Sequence, residues 1–104
     1  MFVRMVWGKL RPGSWADYER HYHENVVNAP SPIKGLRERQ LLRSTEDPDE
    51  GVSVSIWDTL EDMRSYETGE FRQKMAQEVE NLYRGEYWVK HFEVADSQRG
   101  PPIF

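Results

Sequence analysis

Residues 52–71 read V-S-V-S-I-W-D-T-L-E-D-M-R-S-Y-E-T-G-E-F. Val52, Val54 and Ile56 alternate with Ser53 and Ser55, the two-residue period of a strand with one apolar face. Trp57 ends that run. Thr59 has the chemistry of a helix N-cap, with Asp62 at the matching position of a capping box. Leu60, Met63 and Tyr66 begin an apolar helical stripe, which Thr68-Gly69 interrupts and Phe71, Met75, Val79 and Leu82 resume. A strand therefore hands the chain directly to an amphipathic helix.

Reading outward, Leu36 to Ser44 has an ambiguous period, but Thr45 to Gly51 is a cluster of turn residues. The runs on either side of it form a hairpin, strands two and three. Phe2 to Leu10 is rich in β-branched and aromatic residues and stops at Arg11-Pro12-Gly13, which makes it strand one. Ser14 opens a helix as N-cap with Asp17 three residues on, and Trp15, Tyr18, Tyr22 and Val26 form its apolar stripe. Arg20, Glu24 and His23 fall toward the other side, and the helix is expected to end near Asn28. Downstream, Arg84-Gly85 reads as a helix stop and Glu86 to Val94 as strand four. The order is β-α-β-β-α-β. It predicts an α+β, ferredoxin-like domain over residues 1–95, a four-stranded antiparallel sheet with two helices on one face. Residues 96–104 read as an extended C-terminal tail.

The chain has 104 residues, a formal net charge of −4 and no cysteine. Disulfides, thiolate metal sites and a thiol nucleophile are excluded. Leu, Ile, Val and Phe make up only 22 residues, so four Trp and five Tyr must supply core bulk. The mild acidity speaks against a nucleic-acid partner. With no apolar run of membrane-spanning length and no signal-peptide pattern, the expectation is a cytoplasmic protein without a membrane partner. Strands one and four carry apolar side chains on both faces, more than a soluble monomer normally exposes. The expected partner is a second copy, sheet against sheet, in a homodimeric α+β barrel. The alternative is a monomer whose tail crosses the sheet.

Four features in order carry a resemblance. They are the opening M-F-V-R-M-V-W-G-K-L-R-P-G, the D-P-D-E-G hairpin tip, the 52–71 segment, and the closing Y-W-V-K-H-F-E-V. Over residues 2–94 the chain resembles the antibiotic biosynthesis monooxygenase family of dimeric α+β barrel proteins. The resemblance implies a pocket between helices and sheet, with Arg4, Val6 and Gly8 on its side of strand one. Haem-degrading relatives place an asparagine, a tryptophan and a histidine ligand where this chain has Val6, Tyr66 and Met75. The missing histidine speaks against haem, and the expectation is no cofactor and no metal.

For chemistry, His21 and His23 diverge by about 200° on a helix and cannot share a metal. His21 flanks the buried stripe, and Asn25 lies one turn beyond it. His91 shares a face of strand four with Tyr87 and Val89; if that face meets the helices, the two imidazoles approach each other. Arg4, inside an apolar strand, needs a carboxylate such as Glu93 or a ligand oxygen. The acidic residues Glu46, Asp47, Asp49 and Glu50 read as a solvated hairpin tip. The resulting expectation is a cofactor-independent monooxygenase acting on a small phenolic, quinol-like or polyketide-like molecule. His21 or His91 would be the base, Arg4 a stabilising donor, and Val6, Tyr22, Tyr66 and Met75 the substrate contacts. A non-catalytic dimer that binds a small apolar ligand is the alternative, and haem degradation a third.

Overall fold

In the computed structural model, which describes residues 1–29 and 32–100, Phe2–Leu10 forms strand β1. Strands β2 (Leu36–Arg43), β3 (Glu50–Trp57) and β4 (Tyr83–Glu93) join it in one antiparallel sheet of order β2-β3-β1-β4. Helix α1 (Trp15–His21) continues as a π-helix over Tyr22–Val27. The helical segment after β3 is two helices, α2 (Leu60–Glu67) and α3 (Glu70–Val79), separated at Thr68-Gly69 as the pattern predicts. This is the expected ferredoxin-like α+β fold with three helices rather than two. The expected tail, 96–104, divides: residues 96–100 have no regular structure, while those beyond residue 100 lie outside the described residues.

Local chemistry explains where the elements start. The Thr59 hydroxyl accepts the Asp62 backbone N–H at 3.0 Å, so the predicted cap is made. Ser14 makes no such bond, because its backbone is already helical (φ −90°, ψ −4°) and Asp17 is engaged by Arg20 at 2.6 Å. Arg84-Gly85 does not stop a helix. α3 ends earlier, a 3₁₀ turn spans Glu80–Leu82, and Gly85 lies within β4 at φ 123°, beside a register shift. A glycine that ends a helix and one that relieves a bulge look alike in sequence.

The hairpin tip is bonded as well as solvated. Asp47 pairs with Lys9 at 3.3 Å, Asp49 with Arg84 at 3.3 Å, and Glu50 accepts the Trp7 indole N–H at 2.9 Å.

Register then fixes the faces. Toward the helices, Arg39, Ser55, Arg4 and His91 form one row across all four strands. Leu41, Ser53, Val6 and Val89 form the next row, and Arg43, Gly51, Gly8 and Tyr87 the one after. The paired glycines let aromatic rings lie against bare backbone: a methyl group on Gly51 would meet the Trp15 ring at 2.5 Å, and one on Gly8 the Tyr83 ring at 2.5 Å. Trp57 and Met63 are fully buried at the centre of the core, with Leu10, Trp15, Val26 and Val79 around them. The far face carries Val3, Met5, Trp7, Val54, Ile56 and Trp88, and no helix among the described residues covers it. There Trp7 and Trp88 stack at 5.9 Å, and Phe92 remains 47% exposed.

Candidate functional site

A cavity of about 450 Å³ opens between the helices and the helix-facing side of the sheet. That size suits a small-molecule ligand. Of the residues singled out in the sequence, Arg4, Val6, His21, Tyr22, Tyr66 and Met75 all line it. His91 does not. It stands in the Arg4 row, where its side chain bonds Glu67, which also holds Arg4, but it does not reach the cavity.

The π-helical segment shapes one wall. The change from α to π hydrogen bonding falls between His21 and Tyr22, and both neighbours line the cavity together with Tyr18 and Val26. Such π segments are frequent at functional sites because they re-aim side chains that regular spacing would turn away. Asn25 does not join them; its amide donates to the His21 carbonyl at 3.2 Å on the exposed side.

The two histidines do not meet. His21 Nε2 lies 2.8 Å from Glu78 Oε1, and His91 Nε2 lies 2.8 Å from Glu67 Oε2. An ionised carboxylate only accepts, so in each case Nε2 donates and Nδ1 is the nitrogen left for proton transfer. His23 faces solvent, as its helical position predicts.

Arg4 is 6% exposed, and its Nε donates to Glu67 at 2.7 Å, not to Glu93. The register explains the correction: Glu93 stands opposite Phe2, while Glu67 reaches down from α2 between Arg4 and His91. Burial on its own would raise the Glu67 carboxyl. The hydrogen bonds from Arg4 and His91, with their charges, outweigh it and hold Glu67 below the ordinary carboxylate range.

Three buried polar atoms have no hydrogen-bond partner among the described residues: Arg4 Nη2, Arg39 Nη2 and the Tyr22 hydroxyl. All three residues line the one cavity. The Arg39 guanidinium lies over the Tyr66 ring, 5.4 Å from its centroid. Burial pushes the Tyr22 phenol up, and the nearby Ser53 hydroxyl and Arg39 charge only partly offset this. Deeper in, the Tyr18 and Tyr83 hydroxyls bond to each other at 2.9 Å with their rings edge to face. Desolvation raises both, so all three phenols are protonated donors at neutral pH.

Arg39, Ser53, Arg72 and Tyr83 were not singled out in the sequence for this wall. Ser53 and Ser55 held the usable signal. They alternate with valines, which puts their face toward the helices and the residues opposite them, Val6 and Leu41, Arg4 and Arg39, on the same face. Among the described residues no group of three or more His, Asp or Glu side chains is placed to hold a metal ion. No helix among them is long and apolar enough to cross a membrane.

Known proteins can be set beside this geometry. A Caulobacter crescentus CB15 structure carrying the antibiotic biosynthesis monooxygenase name superposes with a TM-score of 0.79 at 10% identity, covering 91% of this chain and 90% of that one. A Mycobacterium tuberculosis protein gives a TM-score of 0.76 at 12% identity, covering 94% and 98%. A structure from Bordetella bronchiseptica that carries the same family name gives 0.75 at 20% identity, covering 88% and 94%. At these identities the likeness speaks to the fold. No curated protein sequence matches the chain significantly. The sequence profile of the antibiotic biosynthesis monooxygenases, however, matches residues 1–78, from β1 to within α3. That span includes β1, the hairpin, the capped helix and most of the cavity wall, and on it the chain belongs to the antibiotic biosynthesis monooxygenase family.

Proposed function

We propose that the chain is a cofactor-independent monooxygenase of small phenolic, quinol-like or polyketide-like molecules, working as a cytoplasmic homodimer. One observation carries this reading. A histidine held by a carboxylate and a set of buried, unpartnered donors line the same part-apolar cavity. His21, with Nε2 engaged by Glu78, takes the substrate proton on Nδ1. Arg4, Arg39 and Tyr22 hold the anionic oxygen atoms of the substrate with donors already in place. The electron-rich anion passes one electron to dioxygen. The substrate radical and superoxide combine in a new carbon–oxygen bond, and the hydroperoxide, once protonated, loses water. A CH₂ group thus becomes a carbonyl while O₂ is reduced by four electrons to one oxygen in product and one in water. The apolar part of the wall, Val6, Val26, Met75 and Val79, keeps bulk water from the radical pair. The uncovered sheet face with Trp7, Trp88 and Phe92 supports the dimer.

The test is oxygen uptake with a panel of anthrones and hydroquinones, corrected for spontaneous oxidation. Turnover should fall by about 10²-fold or more in His21→Gln, the usual share of a general base. Turnover unchanged in that variant removes His21 from the chemistry. No turnover with any member of the panel leaves the ligand-binding alternative.

A further inference from the structure

We propose that the molecule this cavity takes carries a carboxylate, seated between Arg39, Tyr22 and Arg4. The inference rests on reading the cavity as the substrate site, but not on the oxygen chemistry assigned to it.

Arg4 is buried, and Glu67 occupies its Nε, leaving Nη2 without an acceptor. Arg39 has no carboxylate within ion-pair distance among the described residues; its guanidinium rests on the Tyr66 ring and its Nη2 is also orphaned. Both arginines stand opposite Ser55, one on each side. Neighbouring strands are about 4.8 Å apart, so the two backbones are about 10 Å apart on one face. Ser55 does not bridge that gap: its hydroxyl accepts the Trp57 indole N–H at 2.9 Å, and neither Arg4 Nη2 nor Arg39 Nη2 reaches it. Guanidinium groups have no lone pair for each other. The Tyr22 oxygen can serve one of them and leaves the other bare. What this corner lacks is an acceptor, and the missing acceptor lies between two cations.

Charge points the same way. Glu67 compensates Arg4, and the lining then holds Arg39 and Arg72 against one carboxylate, Glu80. A surplus positive charge in a part-closed cavity favours an anion over a neutral oxygen. A planar carboxylate offers two oxygens to two guanidinium edges, a geometry that arginine forks match well. The rest of the wall, Val6, Val26, Met75 and Val79, fits a hydrocarbon or aromatic skeleton.

Calorimetric titration of the full chain with 2-naphthoate, 2-naphthamide and 2-naphthyl phosphate tests this without knowledge of the natural ligand. The carboxylate should bind about tenfold or more tightly than the isosteric amide. Arg39→Met should bring the two within about twofold, while Arg39→Lys, which keeps the charge, should retain part of the gap. Equal binding of naphthoate and naphthamide, or a gap that survives Arg39→Met, overturns the proposal. So does failure of all three to bind up to about millimolar concentrations. Tighter binding of the phosphate than of the carboxylate overturns the choice of carboxylate. A protein that prefers naphthoate but consumes no oxygen keeps the anion seat and loses the oxygenase reading. One that oxidises neutral hydroquinones with no preference for naphthoate loses the seat alone.

Discussion

The helix-facing side of the sheet carries Arg39, Arg4 and His91 in one row, paired glycines in another and the buried Trp57 at one end. The far side carries Val3, Met5, Trp7, Val54, Ile56 and Trp88, with Lys90 as a cation over the Trp88 ring. Each strand alternates between the two, so the same few strands hold both surfaces. On the first side the helices bring most of the apolar bulk and the sheet brings polar groups. On the second the sheet has the apolar bulk and no helix among the described residues meets it. Unpartnered donors call for a ligand; unpartnered apolar area calls for another protein surface.

The largest effect that would break this contrast is at Trp57. It is fully buried, packs tilted against the Tyr66 ring at 5.1 Å, and donates to Ser55. Trp57→Ala should cost about 3–5 kcal/mol in urea unfolding, the range for deleting a large buried aromatic. A loss below about 1 kcal/mol would mean that the helix-facing side is not the core.

The far side answers to a different measurement. Trp88 packs on Trp7 at the surface of the single chain, so Trp88→Glu should leave the fold intact while placing a charge in the proposed dimer contact. Wild-type protein at micromolar concentration should sediment at about twice the 12.4 kDa chain mass. The variant should dissociate with a loss of about 2 kcal/mol or more, as for a central interface aromatic. A wild-type monomer, or a variant dimer of unchanged affinity, would remove the assembly role of this face.

The sequence carries these two surfaces unequally. The strands were readable because β-branched residues alternate, and the Thr59 cap because it needs only residues three apart. One-face apolarity in Val52–Ile56 and two-face apolarity in β1 belong to the same local period. What was not readable depends on long-range partners. Arg4 finds Glu67 across 63 residues, and α2's placement decides that choice. Tyr18, His21, Tyr22 and Val26 share one side at three- and four-residue spacing and were readable, whereas the π-helical turn at Tyr22–Val27 leaves no mark in composition. Arg39 lies in the one strand of ambiguous period, and only its register against Ser55 reveals its face.

The smallest expected effect sharpens the polar side alone. Glu67 accepts from both Arg4 and His91, and those bonds hold its carboxyl below the ordinary value of about 4.3 despite partial burial. A carboxyl depressed in the folded state adds stability above its unfolded pKa, and that stability is lost as pH falls through the folded value. Glu67→Gln keeps the shape and one acceptor but cannot ionise. At pH 7 it should be less stable than wild type by on the order of 1 kcal/mol, one charge-assisted bond weakened to a neutral one. That gap should begin to close near pH 4.3 and vanish once wild-type Glu67 is itself protonated. Urea midpoints of the two proteins from pH 7 down to about 3 follow it directly. A gap that stays constant across this range would mean that Arg4 and His91 do not hold the carboxylate as an anion. The Arg4 row would then be an ordinary polar seam, and the difference between the two faces of the sheet would be one of packing only.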